Sequence, residues 1–218
     1  MIFCSVATAR ALGIPRARWI FPLAIADANS MIPFTERRAL HRCAGFAKAG
    51  ERVFARTGRS LADVAYREIY SCFPSAVRIQ MRELGIDDAR PLTVTGGMAF
   101  AGGPLNHFVF QSLVRMAQLL RDDPGSLGLV TAVSGVVTKQ GVSLWSSEPS
   151  AAPFAHDDVS AETERETARV ELVEGAAARQ PDLLDGQRRG RARQRRGQGD
   201  GRHQAYRDAP AGVPTDRG

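Results

Sequence analysis

The architecture of this chain follows from Leu92-Thr93-Val94-Thr95-Gly96-Gly97, an apolar run of strand length that ends in a glycine pair. A second pair, Gly102-Gly103, precedes Pro104, and a helix is predicted over residues 106–121. Apolar side chains lie on nearly every side of that helix, which is typical of a helix buried between layers. A strand, a glycine-rich turn and a buried helix in this order indicate an α/β protein.

Strands and helices alternate along the rest of the sequence. Apolar runs of strand length occupy residues 2–5, 19–25, 64–70, 127–133 and 136–147, and residues 26–34 are predicted to be a loop. Helices are predicted over residues 7–12, 36–56 and 74–84. Thr35 is the expected N-cap of the second of these helices, and Pro74 lies in the first turn of the third. The pattern predicts a layered αβα fold with a mixed sheet.

The basic character of the chain is confined to its C-terminal end. The formal net charge is +6 over 218 residues, and residues 186–218 hold nine Arg, no Lys and three Asp, which is also +6. Residues 1–185 are therefore neutral, and a basic face typical of a nucleic-acid-binding fold is not expected. We predict a folded unit over residues 1–149, a linker or truncated additional segment over 150–185, and a disordered Arg/Gly-rich tail over 186–218.

The tail permits three interpretations. It holds too few large apolar side chains to offset the entropy of ordering, which favours a solvated, disordered segment. The arginine run over residues 187–197 can also contact RNA phosphates, so any nucleic-acid binding is expected to be weak and confined to the tail. A shifted reading frame in a GC-rich gene would generate a similar composition.

Cysteine use and hydropathy point to the cytoplasm. Three widely spaced cysteines, Cys4, Cys43 and Cys72, are an odd number, which argues against a disulfide framework and for a reducing compartment. The sequence contains no run of about 18 apolar residues, so no membrane-spanning helix is predicted. Neither the cysteines nor the four histidines have the spacing of a zinc site, so no metal and no bound cofactor is expected.

Residues 96–104 form the first candidate site. They match neither of the common glycine motifs of nucleotide-binding proteins. A strand end, two glycine pairs and a helix N-terminus nevertheless allow a ligand to approach several backbone N–H groups, which suits a thioester oxyanion or a phosphate. A tight turn between strand and helix that needs glycine for its backbone angles explains the pattern equally well.

The second candidate site is Tyr70-Ser71-Cys72, where a predicted strand ends and the helix at Pro74 begins. Reactive groups of α/β proteins commonly lie at such positions. A cysteine near a helix N-terminus can have a lowered pKa and act as a nucleophile. Because the sequence shows no histidine partner for Cys72, a small buried hydrophobe is the favoured interpretation. Ser71 and Ser75 suit a capping role equally well.

Four sequence motifs, taken in their order along the chain, support a resemblance to a known protein family. They are Ile69-Tyr70-Ser71-Cys72-Phe73-Pro74-Ser75-Ala76-Val77, Pro91-Leu92-Thr93-Val94-Thr95-Gly96-Gly97, Gly102-Gly103-Pro104 and Gly128-Leu129-Val130-Thr131-Ala132. Over residues 1–149 the chain resembles the thiolase superfamily, specifically its sterol-carrier-protein-type branch of acetyl-CoA acetyltransferases. The resemblance implies a five-layer αβαβα fold of two similar halves, usually dimeric. It also implies acyl transfer to or from coenzyme A, with the coenzyme A thioester as substrate.

The resemblance also assigns positions to individual residues. The chain is similar to the later half of such enzymes, so the nucleophilic cysteine of the family is expected in the first half and no cysteine here inherits its role. Catalytic positions are implied for Tyr70, Ser71, Cys72 and His107. Substrate-binding positions are implied for Gly96, Gly97, Gly102, Gly103, Asn106, Ser134, Gly135 and Lys139.

Several positions depart from the family pattern. Gly102-Gly103-Pro104 stands where the family has Gly-His-Pro, whose histidine serves the oxyanion site, and Val133-Ser134-Gly135 stands in place of Asn-Gly-Gly. Lys139-Gln140 replaces a Lys-His pair, and His107 occupies a position expected to hold Asn. His107 either restores an imidazole to the site or only begins the helix.

These departures shape the functional expectation. We expect a thiolase-like acyl-CoA acyltransferase that is truncated and inactive alone. The alternative is a non-catalytic module, related to thiolases, that binds acyl thioesters or another subunit. The expected partners are acyl-CoA and either further copies of the chain or a complete thiolase-like subunit.

Overall fold

The structure, a computed structural model, describes residues 1–170. The predicted Arg-rich tail and the end of the predicted linker lie outside the described residues. The strands are β1 (Phe21–Asn29), β2 (Val64–Glu68), β3 (Leu127–Ser134), β4 (Lys139–Ser146) and β5 (Ala155–Asp158). The helices are α1 (Val6–Ala11), α2 (Ala44–Thr57), α3 (Pro74–Leu84), α4 (Met98–Ala101), α5 (Phe108–Asp122) and α6 (Ser160–Glu166). Within residues 1–170, no helix has the length and apolar character needed to cross a membrane.

The five strands form one mixed sheet in the order β2-β3-β4-β1-β5. β3 pairs in parallel with β2 and antiparallel with β4, while β1 pairs antiparallel with β4 and in parallel with β5. Since β2 and β3 run the same way, their carboxyl ends lie at the same edge of the sheet. The mixed sheet confirms the predicted fold class.

Helices cover both faces of this sheet. Phe46 and Val53 of α2 pack with Leu129 of β3 in one buried cluster, whereas Met116 of α5 packs with Val130 in another. Leu129 and Val130 are neighbours in β3, and successive side chains of a strand point to opposite faces. The described part is therefore three layers, helix-sheet-helix, as the sequence predicts.

The start of α2 corrects a sequence-based expectation. The helix begins at Ala44, not near residue 36, and residues 34–36 form a short 3-10 turn. The backbone of residues 36–38 is instead held extended by residues 168–170, through the Arg38 N–H to the Ala168 carbonyl and the Val170 N–H to the Glu36 carbonyl. Tertiary pairing thus overrides a local helix signal. The predicted end is right, because Gly58 has a φ of +62°.

Four other predicted segments differ from the structure. Residues 2–5 form no strand and are exposed, and residues 26–29 belong to β1 rather than to a loop. Residues 92–95 are not a strand, for a reason that the site makes clear. Helix α5 is buried on one face only, since Phe110 is 52% and Val114 42% exposed. The expectation of a helix covered on all sides is therefore wrong within the described residues.

Residues 155–166 belong to the same compact unit as the preceding chain. β5 extends the sheet beside β1, and α6 packs on α2. Asp157 accepts hydrogen bonds from the guanidinium groups of Arg52 and Arg56, and these lower its pKa to about 2. Lys48 of α2 pairs with Glu166 of α6 at 2.7 Å. Charge pairs thus join this segment to α2.

Candidate functional site

A buried polar network fixes the backbone where β2 ends. The Thr131 hydroxyl accepts a hydrogen bond from the Tyr70 N–H at 2.9 Å and donates one to Gln80 Oε1 at 2.6 Å. Gln80 Nε2 donates in turn to the Tyr70 carbonyl at 2.8 Å. Gln80 and Thr131 are almost fully buried. Because a buried amide satisfied at both ends tolerates little movement, the network holds Tyr70 in place.

The Glu68 carboxylate lies inside the fold at the last position of β2. Its side chain is fully buried, and Oε2 accepts hydrogen bonds from the N–H groups of Val94 and Thr95 at 2.8 and 2.9 Å. Oε1 accepts from the Thr95 hydroxyl at 2.8 Å. Burial raises the pKa of Glu68, although these hydrogen bonds oppose the shift. The carboxylate thus binds the segment that was predicted to be a strand.

These side-chain contacts explain why residues 92–95 are not a strand. Strand pairing needs a ladder of backbone hydrogen bonds. Here one backbone bond, from the Ile69 N–H to the Leu92 carbonyl, joins the segment to the end of β2. Beyond it, the Glu68 carboxylate occupies the N–H groups of Val94 and Thr95. Residues 92–95 therefore contact the end of β2 but do not pair with it as a strand of the sheet.

Ser71 holds the first glycine pair against the end of β2. Its hydroxyl accepts a hydrogen bond from the Met98 N–H at 2.9 Å. Gly96 and Gly97 have φ of +86° and +76°, and a Cβ at Gly97 would lie 2.9 Å from the Ser71 hydroxyl oxygen. Gly97 therefore needs glycine for its backbone angle and for its close approach to Ser71.

Five residues share these contacts, and we call them the β2-end cluster: Glu68, Tyr70, Ser71, Thr95 and Gly97. The cluster joins two predicted motifs, Tyr70-Ser71-Cys72 and the Gly96-Gly97 pair, that lie more than 20 residues apart in sequence. Gly96 is exposed beside it. The two motifs thus form one surface at the carboxyl end of β2.

Cys72 contacts this surface without being activated by it. Its side chain is half-buried and packs with Tyr70 against the core. Burial raises the pKa of the Cys72 thiol, and hydrogen bonds from its own N–H and that of Phe73 offset this only in part. Burial also raises the pKa of the Tyr70 hydroxyl, whose ring packs edge-on against Phe108 at 5.5 Å. Neither group is a ready nucleophile or base at neutral pH.

His107 and the second glycine pair lie on the exposed side of the loop. The His107 N–H donates to the Pro104 carbonyl at 3.1 Å, at the start of α5, and no hydrogen bond joins its ring to another residue within 1–170. Gly102, Gly103 and Asn106 are also exposed. His107 lines a cavity of about 440 Å³ with Met1, Phe3, Pro104, Phe110, Gln111 and Val114.

Ser134, Gly135 and Lys139 lie apart, in the turn between β3 and β4 and at the start of β4. All three are exposed, and in the described part no hydrogen bond joins them to the β2-end cluster. The Thr138 hydroxyl donates to the Gly135 carbonyl at 2.7 Å. Val136 and Val137 have φ of +56° and +60°, a conformation that branched side chains rarely adopt.

Sequence analysis missed four residues that build the site: Glu68, Gln80, Thr95 and Thr131. A weak signal existed for two of them. Glu68 is an acidic residue in a predicted strand, two positions before Tyr70, and Gln80 is a polar residue between Ile79 and Met81. A polar residue at a position expected to be buried needs a hydrogen-bond partner, but sequence alone does not say which one. Within residues 1–170, no three His, Cys, Asp or Glu side chains are grouped as metal ligands.

The fold and the site together define the class of protein. A mixed sheet with helices on both faces is the fold predicted for a thiolase-like half. Comparison with known structures agrees. A monomeric SCP2-thiolase-like protein type 1 from Mycobacterium smegmatis matches 79% of this chain at 31% identity and a TM-score of 0.70. The chain is thus related to the thiolase superfamily, which confirms the resemblance.

The extent of the match limits what it assigns. The chain spans 38% of the length of the Mycobacterium protein. The peroxisomal 3-ketoacyl-CoA thiolase of Saccharomyces cerevisiae, a five-layered structure built from two core domains of identical topology, is also similar. That match covers 65% of this chain and 37% of the yeast protein, at 20% identity and a TM-score of 0.47. No protein-family model and no curated protein matches the sequence.

Proposed function

We propose that this chain is a thiolase-like acyl-CoA acyltransferase by descent, in the acetyl-CoA acetyltransferase branch, and that residues 1–170 bind an acyl thioester without transferring the acyl group alone. One observation carries the proposal. The Gly96-Gly97 turn is held against Ser71 at the end of β2, with Gly97 buried and Gly96 exposed, so that the Gly96 backbone can contact a ligand beside the Phe100 side chain. The match to an SCP2-thiolase-like protein supports the thioester as ligand.

The cysteines support the absence of covalent catalysis in this part. A thiol nucleophile needs a lowered pKa or an adjacent base. Burial raises the pKa of both Cys43 and Cys72, and no histidine donates to or accepts from any of the three thiols within residues 1–170. In this proposal the nucleophile comes from a second thiolase-like unit, and the β2-end cluster completes its pocket.

Two assays test the proposal. Isothermal titration calorimetry with acetyl-CoA should show binding to the purified chain. An acyl-transfer assay with acetyl-CoA as acyl donor should release no free coenzyme A, and mass spectrometry should find no acylated cysteine. Coenzyme A release together with an acyl-cysteine on this chain would show it to be an active enzyme. If the chain binds no acetyl-CoA, the proposal of a thioester site is wrong. The same transfer assay, repeated with a complete thiolase-like homologue, tests whether turnover needs the second unit.

A second candidate function is that of a subunit-interaction module. It is favoured by the exposed face of α5, where Phe110 and Val114 adjoin Phe3, which is 60% exposed. Exposed apolar patches of this kind commonly mark protein contacts. Size-exclusion chromatography with light scattering should then show an oligomer, or a complex with a complete thiolase-like subunit, and the double variant Phe110→Ser/Val114→Ser should abolish it. A wild-type monomer that binds no such subunit would contradict this function.

A further inference from the structure

We infer that Glu68 is a positioning residue for the Gly96-Gly97 turn, which it sets through Thr95 without touching the ligand. The inference deepens the proposed function and rests on it for one of its two readouts. Glu68 is fully buried, and within residues 1–170 the hydrogen bonds that its carboxylate accepts come from Val94 and Thr95 alone. A side chain so placed has no direct path to a ligand. Its effect on the site must pass through the segment it holds.

The hydrogen bonds run from Glu68 to the glycine pair in two steps. The Thr95 hydroxyl donates to Glu68 Oε1 and accepts a hydrogen bond from the Gly97 N–H at 3.1 Å. The Glu68 carboxylate therefore fixes the Thr95 hydroxyl, and the hydroxyl fixes Gly97. Ser71, three residues after Glu68, holds the next N–H along the chain, that of Met98.

This arrangement leaves one N–H group of the turn without a hydrogen-bond partner. Among residues 94–98, the N–H groups of Val94, Thr95, Gly97 and Met98 are all bonded to Glu68, Thr95 or Ser71. Gly96 is exposed, and its N–H alone in this run has no partner among the described residues. An oxygen atom of a ligand that approaches the turn therefore meets the Gly96 N–H.

The free-energy cost of burying the Glu68 carboxylate indicates that this side chain has a role at the site. A buried carboxylate without a paired cation is expensive, and no Lys, Arg or His of residues 1–170 forms an ion pair with Glu68. The neighbouring Arg67 points elsewhere, to Asp87. Burial also raises the pKa of Glu68, so a neutral side chain of the same shape is compatible with the site. Glutamine should therefore replace it, whereas alanine should not.

The test compares Glu68→Ala, Glu68→Gln and a matched control, Glu83→Ala. Glu83 is also a buried glutamate that accepts a backbone hydrogen bond, from the Cys43 N–H at 2.9 Å, but it lies on α3 outside the site. The first readout is hydrogen exchange of the Thr95 and Gly97 amides, measured by NMR in the absence of ligand. The second is the affinity for acetyl-CoA, measured by calorimetry.

In Glu68→Ala we expect the protection of both amides and the affinity for acetyl-CoA to fall by about tenfold or more, since three hydrogen bonds disappear. Glu68→Gln should restore both to within about threefold of the wild type, because its amide oxygen can accept from the Val94 and Thr95 N–H groups while its NH2 group donates to the Thr95 hydroxyl, which reverses the third bond. Glu83→Ala should lower the stability but change neither readout. If Glu68→Ala does not fold, Thr95→Val should remove the protection of Gly97 alone.

Each contrary result has a distinct meaning. Unchanged amide protection in Glu68→Ala, or in Thr95→Val where Glu68→Ala fails to fold, would overturn the inference. An equal loss of affinity in Glu83→Ala and Glu68→Ala would also overturn it, because Glu68 would then act through global stability. If the wild type binds no acetyl-CoA, the proposed function fails, while the exchange data still decide the role of Glu68.

Discussion

The carboxyl end of β2 and the turn between β3 and β4 are both strand ends to which the family resemblance assigns site residues, yet they are built differently. At the end of β2, Gln80 and Thr131 are buried and their hydrogen bonds fix the backbone of Tyr70. In the turn, Ser134 and Gly135 are exposed, and Val136 has a backbone conformation that costs a branched residue energy.

The two regions therefore differ in how they are supported: the end of β2 has the rigid backbone expected of a binding site, whereas the turn between β3 and β4 is a strained loop. A surface that must present a backbone group to a ligand gains from a buried network that fixes its geometry in advance. The turn has no support from the β2-end cluster in the described part, and its own buried hydrogen bond runs from the Gln140 side chain to the Val137 carbonyl at 2.7 Å. Its sequence departs from the family pattern at Val133-Ser134-Gly135. We therefore assign the proposed thioester binding to the end of β2 and not to the turn. Each prediction below concerns either the end of β2 or the turn between β3 and β4.

The largest effect is expected from Gln80→Leu. The substitution leaves the Thr131 hydroxyl without its acceptor and the Tyr70 carbonyl without its donor, both in the interior. Leaving buried polar groups unsatisfied should lower the free energy of unfolding by about 2–4 kcal/mol. Urea denaturation measures the change. Gln118→Leu, on the exposed face of α5, serves as the control and should change stability by less than about 0.5 kcal/mol. Equal effects of the two variants would refute the importance of the network.

Gly97→Ala should be the next most damaging change. The new methyl group requires an unfavourable positive φ and would lie 2.9 Å from the Ser71 hydroxyl oxygen. Gly58→Ala is matched to it, because Gly58 also has a positive φ, +62°, but within residues 1–170 no atom other than those of its chain neighbours lies within 4 Å of the position of a Cβ. Thermal or urea denaturation should show a loss of about 1 kcal/mol for Gly58→Ala and about 2 kcal/mol for Gly97→Ala. Losses of the same size would mean that Gly97 does not need its contact with Ser71.

Val136→Asn should stabilise the protein, in contrast to both changes above. Val136 is 65% exposed and has a φ of +56°, which Asn adopts more readily than a branched residue. The free energy of unfolding should rise by about 0.5–1 kcal/mol. Val136→Thr keeps the branch at Cβ and should give no such gain. A destabilising Val136→Asn would show that the turn is held for a reason that its backbone angles do not reveal.

The pH dependence of stability should show the smallest effect, and it should come from Glu68. Its pKa in the fold is raised above the ordinary value of 4.5 by burial. The protonated form is therefore favoured in the fold, and stability should decrease as the pH rises from 4.5 through the raised pKa. Glu68→Gln cannot titrate and should lose this slope. Urea denaturation of both proteins across that range measures the difference, and parallel curves would contradict a raised pKa.

Sequence reasoning succeeded where the cause of a structure is local. Gly58 and Gly85 end α2 and α3, and Pro74 begins α3, because each residue's own backbone preference decides the outcome. The predicted start of α2 was wrong because residues 36–38 pair with residues 168–170, about 130 positions away in the sequence. A partner so distant leaves no trace in the local pattern.

The same division holds for the site. Ser71 and the Gly96-Gly97 pair were identified from their motifs, and the structure brings them into contact. Glu68 and Gln80 were missed because a polar residue in an apolar element is explained only by the partner it finds after folding. For residues 92–95 the predicted strand was wrong, although the segment does contact the end of β2. The hydrogen bonds that take the place of a strand ladder come from the Glu68 side chain in β2. The sequence of residues 92–95 alone therefore does not predict them.

The most direct test of the account is the affinity for acetyl-CoA of the wild type, Gly97→Ala and Gly58→Ala, measured by isothermal titration calorimetry on folded protein. We expect the wild type and Gly58→Ala to bind with equal affinity, and Gly97→Ala to bind at least about tenfold more weakly, since the turn can no longer rest against Ser71. Equal affinities of the two glycine variants, or a wild type that does not bind acetyl-CoA, would contradict a thioester site at the end of β2.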